Sequence, residues 1–118
     1  MHNYKELKVW QKSMNLVTRV YQLTENFPSD EKFGLVSQIR RSAISIPSNI
    51  AEGAGRNTTK DFVHFLSVAN ASCCELNTQL IITQNLLYIE STSLTQLEKD
   101  IDEIQKMIFN LKKVMQKM

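Results

Sequence analysis

Residues 94–118 read LTQLEKDIDEIQKMIFNLKKVMQKM, and Leu94, Leu97, Ile101, Ile104, Ile108, Leu111, Met115 and Met118 fall on one unbroken heptad seam. Apolar residues three and four apart are the mark of a helix burying one stripe; a strand would repeat every second residue. Ser93-Leu94-Thr95-Gln96, at the head of the seam, has the form of a capping box. Acids crowd its first half (Glu98, Asp100, Asp102, Glu103) and lysines its second (Lys106, Lys112, Lys113, Lys117), the order the helix dipole favours.

The same reading extends back along the chain. All three glycines and both prolines lie between Pro28 and Gly55, so the 63 residues from Arg56 onward hold none, which a sheet with its turns rarely permits. Thr58-Thr59-Lys60-Asp61 caps a helix whose core stripe is Phe62, Phe65, Leu66, Ala69, Cys73, Leu76, Leu80 and Leu87. Upstream, Ser29-Asp30-Glu31-Lys32 offers an N-cap to a helix carrying Leu35, Ile39, Ser42 and Ile46 at core spacing. Pro47 lies inside that helix and removes the bond to the Ala43 carbonyl, which predicts a kink. The predicted helices cover 5–26, 30–54, 59–89 and 94–117. Short connections make this an all-α fold, an antiparallel up-down-up-down four-helix bundle occupying 1–118 as a single domain.

Two of these helices carry more neutral surface than a lone bundle uses. The first has two apolar stripes, Leu7, Trp10, Met14, Val17 and Tyr21 beside Val9, Leu16, Val20, Leu23 and Phe27. Together they span about 200° of arc, against the ~100° that one core face needs. In the third, the 28 residues from Phe62 to Ile89 contain one full charge, Glu75. Its back is Ser67, Asn70, Ala71, Cys74, Thr78 and Ile82, small or uncharged side chains that let another helix approach closely. The surplus predicts a homo-oligomer, a closed ring or a dimer.

Composition narrows the function classes. The chain has 118 residues, 42% hydrophobic and 22% charged, enough for its own core. No apolar run approaches 18 residues, and the start lacks the apolar segment of a signal peptide, so a cytoplasmic protein with no membrane partner is expected. Cys73 and Cys74 are adjacent on a helix, where a structural disulfide would be strained, and both read as small buried side chains. No phosphate loop, dinucleotide turn, zinc-protease or nucleophile-elbow motif occurs. The histidines are a terminal His2 and His64, the latter in a lone Asp61-x-x-His64 pair that falls short of a di-iron set. Arg56 and His64 are separated by seven residues, too many for the Arg–His active site of small helical RNases. No catalytic, cofactor-binding or metal residue is therefore predicted, and the protein reads as non-enzymatic.

Charge is segregated although the total is only +2. Residues 1–60 hold nine Lys/Arg and five acids, and residues 61–118 hold five and seven. Lys5, Lys8, Lys12, Arg19, Arg40, Arg41, Arg56 and Lys60 are the candidate nucleic-acid-binding residues, with arginine suited to bidentate phosphate contacts and lysine acting as a point charge. Without interleaved aromatics, binding is expected to follow backbone and shape. The plainer reading is a solvated face with intersubunit salt bridges, such as Arg40 or Arg41 to Glu52. Ser45, Ser48, Asn49 and Glu52 beside Pro47 either line a pocket or, preferably, satisfy freed carbonyls and bond across a helix contact.

The run from Ser37 to Arg56, with Arg40-Arg41, Ser45-Ile46-Pro47-Ser48-Asn49-Ile50-Ala51-Glu52-Gly53 and Gly55-Arg56, is unlike generic bundle sequence. With Leu7-Lys8-Val9-Trp10-Gln11-Lys12, Lys60-Asp61-Phe62, Phe65-Leu66 and Tyr88, it resembles the four-helix-bundle proteins encoded in intervening sequences of bacterial 23S ribosomal RNA genes. The resemblance covers nearly the whole chain. It implies a ring-shaped homopentamer, distantly similar to the accessory protein of diversity-generating retroelements, which binds nucleic acid and engages a reverse transcriptase. The leading expectation is thus a homo-oligomeric accessory or scaffold that associates with RNA or DNA. A protein-interaction adaptor with no direct nucleic-acid binding is the alternative, and an RNase a remote third.

Overall fold

A computed structural model describes residues 3–118, which form four long helices and, among the described residues, no strand. After a 3₁₀ turn at Tyr4–Glu6, α1 spans Lys8–Thr24; a second 3₁₀ turn at Ser29–Glu31 leads to α2, Leu35–Ala54; α3 is Thr59–Asn85 and α4 is Ser91–Gln116. Helix α1 packs on α2, α2 on α3, α3 on α4, and α4 more loosely back on α1. The four thus enclose one core to which each contributes buried side chains.

That core is drawn from the predicted spacings. Leu16 and Val20 of α1, Ile39, Ala43, Ile46, Ile50 and Ala54 of α2, Leu66, Ala69, Cys73, Leu76 and Leu80 of α3, and Ile104 of α4 have no exposed surface. Each large aliphatic side chain so buried contributes about 1.5–3 kcal/mol relative to an exposed one. Helix α2 runs through Pro47 without a break, and the proline ring is itself buried. The buried hydroxyls of α1 are satisfied within that helix: Ser13 donates to the Val9 carbonyl at 2.9 Å and Thr24 to that of Val20 at 2.9 Å.

The helix ends differ from expectation by three residues or more at four places, each for a local reason. Helix α1 begins at Lys8, because Leu7 is extended and serves as its N-cap. The Ser29–Glu31 segment forms only a 3₁₀ turn, so α2 starts behind Gly34 and not at the Ser29 cap. Helix α4 starts at Ser91, one turn before the apparent capping box, with Glu90 extended as its N-cap. Helix α3 stops at Asn85 and not at Ile89: the Tyr88 amide donates to the Thr83 carbonyl at 2.9 Å and the Leu87 amide to that of Gln84 at 3.0 Å. Those two bonds are a Schellman closure, and it requires a left-handed residue, which here is Leu87 at φ 64°. Leu87 is therefore 85% exposed and leaves the core stripe predicted for it.

A leucine in the left-handed region costs roughly 1 kcal/mol that glycine does not. Leu87→Gly is expected to stabilise the fold by about 0.5–1 kcal/mol, raising the thermal midpoint by a few degrees, as measured by calorimetry.

Candidate nucleic-acid interface

Helix α1 turns its basic stripe toward α4, where the acids of the heptad's first half meet it. Lys12 Nζ lies 2.7 Å from Glu103 Oε2, and Arg19 donates to Asp100, a carboxylate only 7% exposed that also accepts from Gln96 at 3.4 Å. Burial of the Asp100 charge is tolerated because the Arg19 guanidinium stands beside it, whereas Glu103 stays half in water. These two members of the predicted set are thus engaged in holding α4 on α1.

Arg40 and Arg41, adjacent in sequence, have different surroundings. One step from buried Ile39, Arg40 turns onto the end of α1: its Nε donates to Thr24 Oγ1 at 2.9 Å and a terminal nitrogen to the Tyr21 carbonyl at 3.2 Å. Its guanidinium carbon stands 4.3 Å from the centroid of the Tyr21 ring. The Tyr21 carbonyl is among the last four of α1, which lack partners in the helix, so Arg40 completes that terminus and offsets its partial negative charge. Arg41 is exposed with no ion-pair partner among the described residues.

Arg56 closes α2 onto the start of α3. It pairs with Glu52 at 3.1 Å, one turn back, and covers Phe65 with its guanidinium carbon 4.9 Å from the ring centroid. His64 meets the same ring edge-on at 5.2 Å, so Arg56 and His64, distant in sequence for an RNase pair, both contact Phe65. His2 lies outside the described residues. Lys5, in the first 3₁₀ turn, Lys8, at the head of α1, and Lys60, near the head of α3, are exposed and, among the described residues, make no ion pair. Of the eight predicted residues, then, Lys5, Lys8, Arg41 and Lys60 present their charge outward, while Lys12, Arg19, Arg40 and Arg56 are engaged within the chain.

The polar residues around Pro47 bond partly across helices and partly within α2. Ser45 and Ser72 hydroxyls are 2.8 Å apart, bridging α2 and α3, and Asn49 Nδ2 donates to the Ser45 carbonyl at 2.8 Å. Ser42 donates to Glu75 at 2.9 Å across the same seam. Of the predicted cluster, Ser48 lines an apolar groove of about 330 Å³ with Trp10, Met14, Val17, Ile44, Pro47 and Ala51.

Part of the surplus surface predicted on α1 and α3 is exposed in the single chain: Met14, 41% exposed, and Tyr21 on α1, and Ala71, Cys74, Thr78 and Ile82 on α3, where Ser67 and Asn70 are half-buried. Ile44 of α2, also 41% exposed, and Ile81 of α3 add to it without having been predicted. Ser67 and Thr78 donate into their own helix, to the Val63 and Cys74 carbonyls at 3.1 and 2.9 Å, so this face loses little when water leaves it. Only one cysteine is buried, contrary to the expectation for both. Burial pushes the Cys73 thiol up to about 12, whereas Cys74 is exposed and its Sγ accepts from Gln105 at 3.4 Å. No cluster of potential metal ligands occurs among the described residues, and no helix is long and apolar enough to cross a membrane.

Sequence reasoning missed the internal partners of half the cations. Asp100 and Glu103 were visible as first-half acids of the last helix, but nothing local shows which helix they face.

Residues 5–110 match the family model described as 23S rRNA-intervening sequence protein. No curated protein matches the sequence significantly. Among solved structures, the chain is similar to a protein of unknown function from the S23 ribosomal protein family of Bacteroides thetaiotaomicron VPI-5482, determined at 1.70 Å. The two share 27% identity and a TM-score of 0.82, over 89% of this chain and 95% of that one.

Proposed function

The chain belongs to the 23S rRNA-intervening sequence protein family, and from that premise we propose a non-enzymatic, homo-oligomeric bundle that binds the phosphate backbone of RNA or DNA as an accessory or scaffold. The observation that carries this reading is the coexistence of outward cations that make no ion pair among the described residues (Lys5, Lys8, Arg41, Lys60) with neutral helix faces suited to a second copy. Assembly repeats the four cations once per subunit, turning a modest patch into a field that phosphates feel. A closed ring of five is the assembly we favour, working in the cytoplasm, with a nucleic-acid-processing enzyme such as a reverse transcriptase as its partner class.

An up-down-up-down order of the helices is part of this proposal. On α2 and α3, Ser42 meets Glu75 and Ser45 meets Ser72, so residue numbers rise on one helix as they fall on the other. The connections at 55–58 and 86–90 support the same order. Five residues reach at most about 17 Å, too short to return along a 20-residue helix of about 30 Å.

The test is binding to structured RNA as a function of salt. Affinity is expected to be strongest near 50 mM salt and to fall steeply toward about 200 mM, with little preference among sequences. No detectable binding at about 50 mM would remove the reading.

One observation favours a second reading, a protein-interaction adaptor that does not touch nucleic acid: Lys12, Arg19, Arg40 and Arg56 are occupied within the chain. Capture of a partner that survives nuclease treatment would favour the adaptor; loss on treatment would favour the nucleic-acid reading.

A further inference from the structure

Where α1 ends and the chain turns toward α2, a cleft of about 560 Å³ opens between Tyr21, Glu25, Phe27, Lys32, Val36 and Arg40. That volume is within the range of small-molecule sites, about 300–1,000 Å³. Its cation is fixed in advance. Arg40 is held through Nε and one terminal nitrogen and backed by the Tyr21 ring, so ordering it for a ligand costs little further side-chain entropy. Two of its N–H donors are used, and about three of the five that a guanidinium carries have no partner among the described residues.

The other groups divide the cleft by chemistry. Lys32, exposed and 5.4 Å from the Phe33 ring centroid, brings a second positive charge. Glu25, also exposed, brings one acceptor. Phe27 and Val36 form an apolar wall, which the Tyr88 ring steadies by packing 5.3 Å from Phe27 while its hydroxyl donates to Glu31 at 2.8 Å. Two cations against one carboxylate select an anion. The carboxylate rewards hydroxyl or amino donors on the same molecule, and the wall accepts a flat ring. Inorganic phosphate satisfies only the first of these.

We propose that this cleft binds a nucleoside 5′-phosphate, with the phosphate on Arg40 and Lys32, the sugar hydroxyls toward Glu25 and the base against Phe27 and Val36. The same chemistry is offered by a free mononucleotide and by the 5′-phosphorylated end of a strand. The proposal uses none of the four outward cations of the backbone reading and stands or falls separately from it.

The experiment is calorimetric titration of the full chain with adenosine 5′-monophosphate, inorganic phosphate, adenosine, and a trinucleotide with and without a 5′-phosphate. Saturable binding of the monophosphate with Kd below about 1 mM is expected, with phosphate and adenosine each at least tenfold weaker. Binding of the phosphorylated trinucleotide equal to that of the mononucleotide assigns the site to strand ends, and its exclusion assigns it to free nucleotides. Lys32→Ala, at an exposed position, is expected to weaken the monophosphate about tenfold, and Arg40→Gln to abolish its binding. Removal of Lys5, Lys8, Arg41 and Lys60 together is expected to leave it unchanged. The assignment is overturned if the monophosphate fails to saturate below about 1 mM, if adenosine binds equally well, or if Lys32→Ala has no effect.

Discussion

Gly53→Leu is expected to destabilise the chain by more than about 4 kcal/mol, enough to leave much of it unfolded if its stability lies in the ordinary range of about 5–15 kcal/mol. Gly53 is a buried glycine in the last turn of α2, with Phe62 and Phe65 of α3 packed against its backbone. A Cβ there would stand 2.8 Å from the Phe65 Cβ, 3.0 Å from Phe62 Cδ1 and 3.3 Å from the Phe62 carbonyl. None of these is the far end of a flexible side chain, so α3 itself must move. Such a shift disturbs Phe62, which is buried at 1% exposure, and the polar seam that begins at Ser45 and Ser72. Gly53→Ala gains about 1 kcal/mol of helix propensity but meets the same contacts, at a cost of about 1–3 kcal/mol, and should come out mildly destabilising. Urea titration followed by circular dichroism measures both; a Gly53→Leu chain as stable as the parent would show that the approach of α2 to α3 is not as described.

Joint replacement of Lys5, Lys8, Arg41 and Lys60 by alanine should lower RNA affinity by at least a hundredfold at low salt and flatten its salt dependence. Each phosphate contact contributes about 0.9 to the slope of log K against log salt on a duplex, so four lost contacts remove about 3–4 per engaged subunit. The folded state should hardly notice, since all four side chains are exposed and none makes an ion pair among the described residues. Replacing Lys12 and Arg19 should do the reverse, loosening α4 from α1 through the loss of their bonds to Glu103 and Asp100 while changing the salt slope little. Filter binding across a salt series separates the two variants. Equal losses would mean that the unpaired cations have no special part in binding.

The heptad seam was legible because tertiary packing and local periodicity agree: Leu97, Ile101, Ile104, Ile108 and Met115 are all buried. Periodicity misled where a backbone closure competes with it. Leu87 sits at the right interval for the core, yet the hydrogen bonds of Tyr88 and Leu87 end the helix first, and no glycine or proline marks the stop. Ser93 looked like a cap because its side chain suits the role, but the helix had already started behind Glu90. The site was legible only as a set of residue types. Which cations remain outward depends on contacts between segments far apart in the chain, such as Arg19 with Asp100, that no local pattern encodes. The cleft at Arg40 was hidden for the same reason, since Tyr21, Lys32 and Val36 belong to three different local segments.

The proposed self-association follows from the neutral outward faces on α1, α2 and α3, which a second copy would cover, and from the outward cations, which a ring would pool. Sedimentation equilibrium at micromolar concentration tests this most directly. It should return a single species at a multiple of the 13.6 kDa chain mass, five being the value proposed. A stable, well-behaved 13.6 kDa particle would contradict it.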